Sequence, residues 1–135
     1  MSTDRLSNLL SSVKNASMAG RSSFETAYFK QGKEVLELLK SARLLEDIKV
    51  FKSEDTGFKG LRVDLVVGGE GVVRRLEVER LSKPGHRVYA SYKEFLRVKA
   101  GLGVLVVSTS RGMLSGEEAK KRKLGGELIC KVYFD

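Results

Sequence analysis

The sequence predicts an α/β fold of the α+β kind, arranged as two small subdomains. Three observations predict it. Apolar residues recur at helical spacing in two early stretches, around residues 6–13 and 35–42. Strand-like alternation and short apolar runs dominate after residue 46. The glycine-rich step "GGEG" at residues 68–71 punctuates the chain near its middle. Division there gives an N-terminal helix-strand-helix-strand-strand subdomain, residues 1–69, and a C-terminal subdomain, residues 70–135, mainly β with one short helix.

The elements follow in order. Leu6, Leu9, Leu10 and Val13 form one apolar helical stripe. Ser2 or Thr3 is suited to cap that helix, and Asp4 to the positive end of its dipole. "NASMAGRSS" reads as a loop and "FETAYF" as a short strand. Gly32 is expected to precede a second helix with Val35, Leu38, Leu39 and Ala42 inward. "DIKVF" is a short strand. "LRVDLVV" alternates, with Leu61, Val63, Leu65 and Val67 on one face. In the second half Val72, Leu76 and Val78 share a face that Arg74 interrupts. "SKPGH" is a type II turn, with Pro84 fixing φ and Gly85 supplying positive φ. "RVYASY" is a strand, and "KEFLRVKAGLG" a turn of helix with a bend. "VLVVS" is apolar throughout and suited to burial on both faces. Ser115 and Glu118 have capping-box spacing for a short helix, ended by Gly125 and Gly126. "ELICKVYF" closes the chain with Leu128, Cys130, Val132 and Phe134 on one side.

Charge and composition narrow the function. At 135 residues, folding buries roughly two-thirds of the unfolded surface, enough for a core without staples. The net charge is +8. Residues 1–69 hold 11 basic and 9 acidic side chains, a net +2, and residues 70–135 hold 14 and 8, a net +6. That surplus points to a polyanionic partner on the C-terminal side. The single cysteine rules out an intrachain disulfide and fits a reducing compartment. No apolar run approaches a membrane span, and the start lacks the apolar core of a secretion signal.

Catalytic and metal chemistry lack their residues. One histidine and one cysteine cannot supply the four ligands of a structural zinc site. Cys130 lies on an alternating apolar face and reads as a small buried hydrophobe. His86 reads as an exposed turn residue. No serine has a nucleophile-elbow context, no phosphate-binding glycine loop occurs, and Glu117 and Glu118 point to different sides of their helix. No cofactor or small-molecule substrate is expected.

One edge remains. In "GVLVVSTSRGMLSGEEAKK" an apolar run stops at Ser108, Thr109 and Ser110, followed by Arg111 and Gly112. The hydroxyls donate and accept, Arg111 offers a fork for phosphate, and Gly112 leaves the backbone bare for close approach. Such a surface suits the shallow minor groove of RNA, with its 2′-hydroxyls and phosphates. An ordinary serine-capped turn is the plain alternative.

This stretch resembles the signature of the ribosomal protein eight family of the small subunit. The residues that carry the resemblance are Gly103, Val106, Val107, Ser108, Thr109, Gly112, Met113, Leu114, Ala119 and Lys120. "SKPGHRVY", "AGLG" and "LGGELIC" match further family blocks in order and spacing. The resemblance is close over residues 80–132 and looser elsewhere. It implies two α/β subdomains, direct binding to a helix in the central domain of small-subunit rRNA, a role in subunit assembly, contacts with neighbouring ribosomal proteins, and no enzymatic activity. It carries RNA-binding roles onto Ser108, Thr109, Ser110, Arg111 and Gly112, onto Lys83, Pro84 and Gly85, onto Gly125, Gly126 and Glu127, and onto Lys14 and Asn15.

Departures from the family pattern fall mostly in the first half, at Asn8, Ser12, Ala27, Gln31, Gly32 and Leu96. They put the N-terminal RNA contacts in more doubt than the C-terminal ones, and favour a mitochondrial ribosome over a bacterial one. Two other functions stay open: a translational regulator that binds mRNA, and an enzyme on an anionic substrate pairing His86 with Ser108.

Overall fold

The computed structural model describes residues 2–135, with side chains from Arg5 onward except at Ala100. The expected caps Ser2, Thr3 and Asp4 therefore lie outside the described side chains. The elements are α1 (Ser2–Met18), β1 (Ser23–Ala27), α2 (Lys30–Ser41), β2 (Leu45–Lys52), β3 (Lys59–Leu65), β4 (Leu76–Arg80), β5 (Tyr89–Ala90), β6 (Val104–Thr109), β7 (Gly112–Ser115), α3 (Gly116–Lys121) and β8 (Gly126–Phe134). The predicted α/β class holds, and so does the element order except for β7, a strand not expected from the sequence between "VLVVS" and the short helix. β1, β3 and β2 form one antiparallel sheet, and β4, β8, β6 and β7, with β5 on β8, form a second.

The stripe Leu6, Leu9, Leu10 and Val13 is buried, and Ala16 extends it. "NASM" is thus helix, not loop: the buried Ser17 hydroxyl donates to the Lys14 carbonyl at 2.8 Å, which hides its polarity. Gly20, at φ +73, ends the helix while the Arg21 N–H reaches back to the Ala16 carbonyl. Gly32 lies inside α2 rather than before it, because the Phe29 ring packs where a Cβ would be. The inward face of α2 is Val35, Leu36 and Leu39; Leu38 is half-buried and Ala42 exposed, one step round from the expected face.

In β3, Leu61, Val63 and Leu65 are buried, but Val67 is exposed in an isolated bridge with Val73. That bridge closes the 68–71 turn and puts Val73 inward, leaving Val72 exposed instead of sharing the face of Leu76. "RVYASY" holds only two strand residues, since a 3-10 turn starts at Tyr92. That turn carries a complete capping box: Ser91 Oγ accepts from the Lys93 N–H, and Glu94 accepts from the Ser91 N–H at 2.8 Å. At α3, Ser115 Oγ does accept from the Glu118 N–H at 3.1 Å, but the Glu118 carboxylate takes Arg122 at 2.9 Å, so only half the expected box forms. Lys123, at φ +56, ends α3 before the glycine pair is reached.

β6 is buried on both faces. Val104 and Val106 join the main core, and Leu105 and Val107 join a smaller core with Phe95, Val98 and Ala119. A bulge in β8 shifts the pairing from Val106 with Cys130 to Val107 with Leu128. Ile129 is the extra residue. Leu128 therefore faces the smaller core, opposite Cys130, Val132 and Phe134. The main core runs without a break from α1 and α2 to β6 and β8, so the two sheets share it.

Candidate nucleic-acid interface

β6 and β7 form a hairpin whose two-residue turn is Ser110 and Arg111, closed by the pair Thr109 and Gly112. Gly112 stands at φ +97, which L side chains rarely adopt. The Thr109 hydroxyl accepts the Arg111 N–H at 3.1 Å and donates to the Gly112 carbonyl at 2.9 Å. Its one proton and an acceptor lone pair are used inside the turn, so Thr109 shapes the loop. Ser110 and Arg111 are exposed, and Ser108 is partly so. The Ser108 and Ser110 hydroxyls and the Arg111 guanidinium have no partner among the described residues.

Gly126 brings the start of β8 against this hairpin, and Gly125 brings it against Ala90 and Ser91. A Cβ on Gly126 would collide with the Ser108 carbonyl oxygen, and one on Gly125 would sit 2.8 Å from the Ala90 carbonyl oxygen. Both are close-approach positions within the protein. Glu127 pairs in register with Ser108, and its carboxylate accepts from Arg87 Nη1 at 3.1 Å.

Lys83, Pro84 and Gly85 form an exposed turn closed by the Lys83 and His86 backbones, with Gly85 at φ +81. Ser82, 2% exposed, anchors it: its hydroxyl accepts the Val88 N–H at 2.9 Å, while its own N–H donates to the Leu128 carbonyl. The hairpin tip, the start of β8 and the Pro-Gly turn therefore meet at one end of the second sheet. Ser82, Arg87, Ser108 and Glu127 line a shallow cleft there. Ser82 and Arg87 are absent from the sequence-based set. They flank the Pro-Gly turn, which was the available signal.

Lys14 and Asn15 stand elsewhere. Lys14 Nζ donates to Glu77 at 2.8 Å, and Glu77 pairs with Tyr133 in the sheet. That carboxylate holds the Lys14 ammonium above the usual lysine range, by the hydrogen bond first and its charge second. Tyr133 is six residues along β8 from Glu127, about 20 Å at strand rise. Asn15 is exposed beside Lys14.

His86 is exposed and makes no hydrogen bond to Ser108 among the described residues. Cys130 is fully buried, and burial pushes its thiol up to about 12. The reactive thiolate is then scarce at neutral pH. Native protein at pH 8 should leave Cys130 unlabelled by a thiol reagent over hours, with full labelling in urea. Rapid native labelling would contradict the burial.

The fold and this edge define a small basic α/β protein that presents hydroxyl, guanidinium and ammonium groups from rigid turns, as suits a ribosomal protein. The family model for ribosomal protein S8 matches residues 4–133. The chain belongs to that family. It is similar to the small ribosomal subunit protein uS8 of Sorangium cellulosum (36% identical, covering 98% of this chain and all of that protein). It is similar as well to those of Kosmotoga olearia (35%; 98% and 100% covered) and Borreliella burgdorferi strain ZS7 (32%; 97% and 98% covered). These relatives are bacterial and lend no support to a mitochondrial origin.

Proposed function

We propose that the chain is a non-enzymatic constituent of the small ribosomal subunit, located on the ribosome. It binds a helix of the small-subunit rRNA central domain directly and supports subunit assembly beside other ribosomal proteins. Residues 70–135 form the main RNA-binding subdomain of the two. The observation that carries this reading is the convergence at one sheet end of Ser108, Ser110 and Arg111, unpartnered among the described residues, with the exposed Lys83 turn. These groups match the phosphates and 2′-hydroxyls of an RNA minor groove. Thr109 and Gly112 set the loop, Gly126 seats it, Gly125 packs against Ala90 next to it, and Arg87 holds Glu127 beside it. Lys14 and Asn15 would touch RNA at a separate point, with Lys14 giving up Glu77 or sharing it.

Titration of the protein against small-subunit rRNA over a salt series tests this. Affinity should fall as salt rises, because bound basic groups displace counterions. Arg111→Ala should flatten the slope of log affinity against log salt by about one unit. Ser110→Ala should cost about 1 kcal/mol and leave that slope unchanged. A salt-independent affinity, or two variants identical to wild type, would reduce the loop to a plain turn.

A further inference from the structure

We propose that Glu34, in the N-terminal half, is the positioning residue of the 108–112 loop, and that it acts as a hydrogen-bond acceptor rather than as a charge. This rests on the RNA-binding reading of that loop.

β7 is an edge strand of the second sheet. In a two-residue hairpin the closing pair, here Thr109 and Gly112, exchanges hydrogen bonds, and the next pair, Ser108 and Met113, turns its polar groups outward. The Met113 N–H thus faces away from β6, where no further strand among the described residues receives it. Glu34, 79 residues earlier, receives it: Met113 N donates to Glu34 Oε1 at 3.2 Å. The same carboxylate closes over Gly112, where a Cβ would stand 3.4 Å from each of its oxygens. Gly112 is the left-handed residue that closes the turn, so Glu34 grips the loop at its most constrained point.

The support is rigid. Val35, Leu36 and Leu39 fix α2 with no exposed surface. A carboxylate on such a helix holds a partner more exactly than one on a loop can. Glu34 makes no ion pair among the described residues. Its charge also stands beside a surface meant for phosphate, where it opposes binding. Acceptor geometry, not charge, is therefore what the loop gains. Sequence position gives no hint of this, since Glu34 sits among helix-surface polar residues.

Full-length wild type, Glu34→Gln and Glu34→Ala are compared in two measurements. Amide exchange by NMR reads the hydrogen bond without RNA. The Met113 amide should exchange at least tenfold faster in Glu34→Ala and at the wild-type rate in Glu34→Gln, with Val106 and Leu39 unchanged in both. Binding to a bacterial small-subunit rRNA transcript reads its use. Glu34→Ala should weaken affinity about fivefold with the salt slope unaltered, the share of one hydrogen bond, and Glu34→Gln should bind at least as tightly as wild type. Unchanged Met113 exchange in Glu34→Ala, or Glu34→Gln as weak as Glu34→Ala, would overturn the proposal. If wild type itself fails to bind the transcript, the RNA-binding reading falls, while the exchange data still decide whether Glu34 holds the loop.

Discussion

Gly126→Ala should lower the unfolding free energy by about 3 kcal/mol, the upper end of what overpacking costs, and weaken rRNA binding with it. The added Cβ would meet the Ser108 carbonyl oxygen, with the Ser108 carbonyl carbon at 3.0 Å and Thr109 Cα at 3.3 Å behind it. All three are backbone atoms, so no side-chain rotation relieves the contact. Nor is β8 free to retreat: β6 holds Glu127 against Ser108 on one side, and β5 holds Gly126 against Ala90 on the other. Either the ladder opens or the hairpin tip moves, and the tip carries Ser108, Ser110 and Arg111. Gly69→Ala is the matched control. No described residue comes within 4 Å of a Cβ there and its φ is ordinary, so it should change stability by less than about 0.5 kcal/mol. Urea unfolding of both variants checks the pair. Equal stabilities would mean that β6 and β8 tolerate a wider separation than the structure shows.

The same glycine illustrates what the sequence could reveal. "LGGELIC" resembles a family block, and the resemblance carried RNA contact onto Gly125 and Gly126. The structure gives both a reason inside the protein, because each admits a neighbouring backbone. Thr109 is similar: from the sequence its hydroxyl equals those of Ser108 and Ser110, yet it is consumed within the turn. Local spacing names a motif but does not distinguish the residues that shape it from those that would touch a partner.

Periodicity was most legible where one face alone is buried. The α1 stripe and the alternation of Leu61, Val63 and Leu65 read correctly for that reason. The misreadings cluster where a register changes. The Val67 and Val73 bridge, the bulge at Ile129 and the left-handed Lys123 each break a period through long-range pairing or unusual backbone that composition does not encode. Glu34 was invisible, and Arg87 was marked only by its place beside the Pro-Gly turn, for a related reason: their partners, Met113 and Glu127, lie 79 and 40 residues away. The charge asymmetry, by contrast, was readable at once. The half with a net +6 is the half that carries the hairpin tip and the Pro-Gly turn.

Leu10→Ala should cost about 3 kcal/mol, within the 2–5 kcal/mol range for a buried leucine, and the loss should register in both halves of the molecule. Leu10 is 2% exposed in a core that also contains Val104, Val106, Cys130 and Val132. α1 is tied across the mid-chain step in two further ways. The buried Ser17 hydroxyl accepts the Leu76 N–H at 3.1 Å, and Lys14 bonds Glu77. A cavity under α1 therefore loosens the second sheet as well as the first. Stability of a domain this size totals about 5–15 kcal/mol, so the loss is a large fraction of it. Shared packing makes unfolding a single cooperative event. Amide exchange at Val63 in β3 and at Val132 in β8 should accelerate by the same factor, roughly a hundredfold for a loss of this size. Acceleration confined to Val63, or a urea transition in two steps, would show that the two halves hold together less tightly than their common core requires.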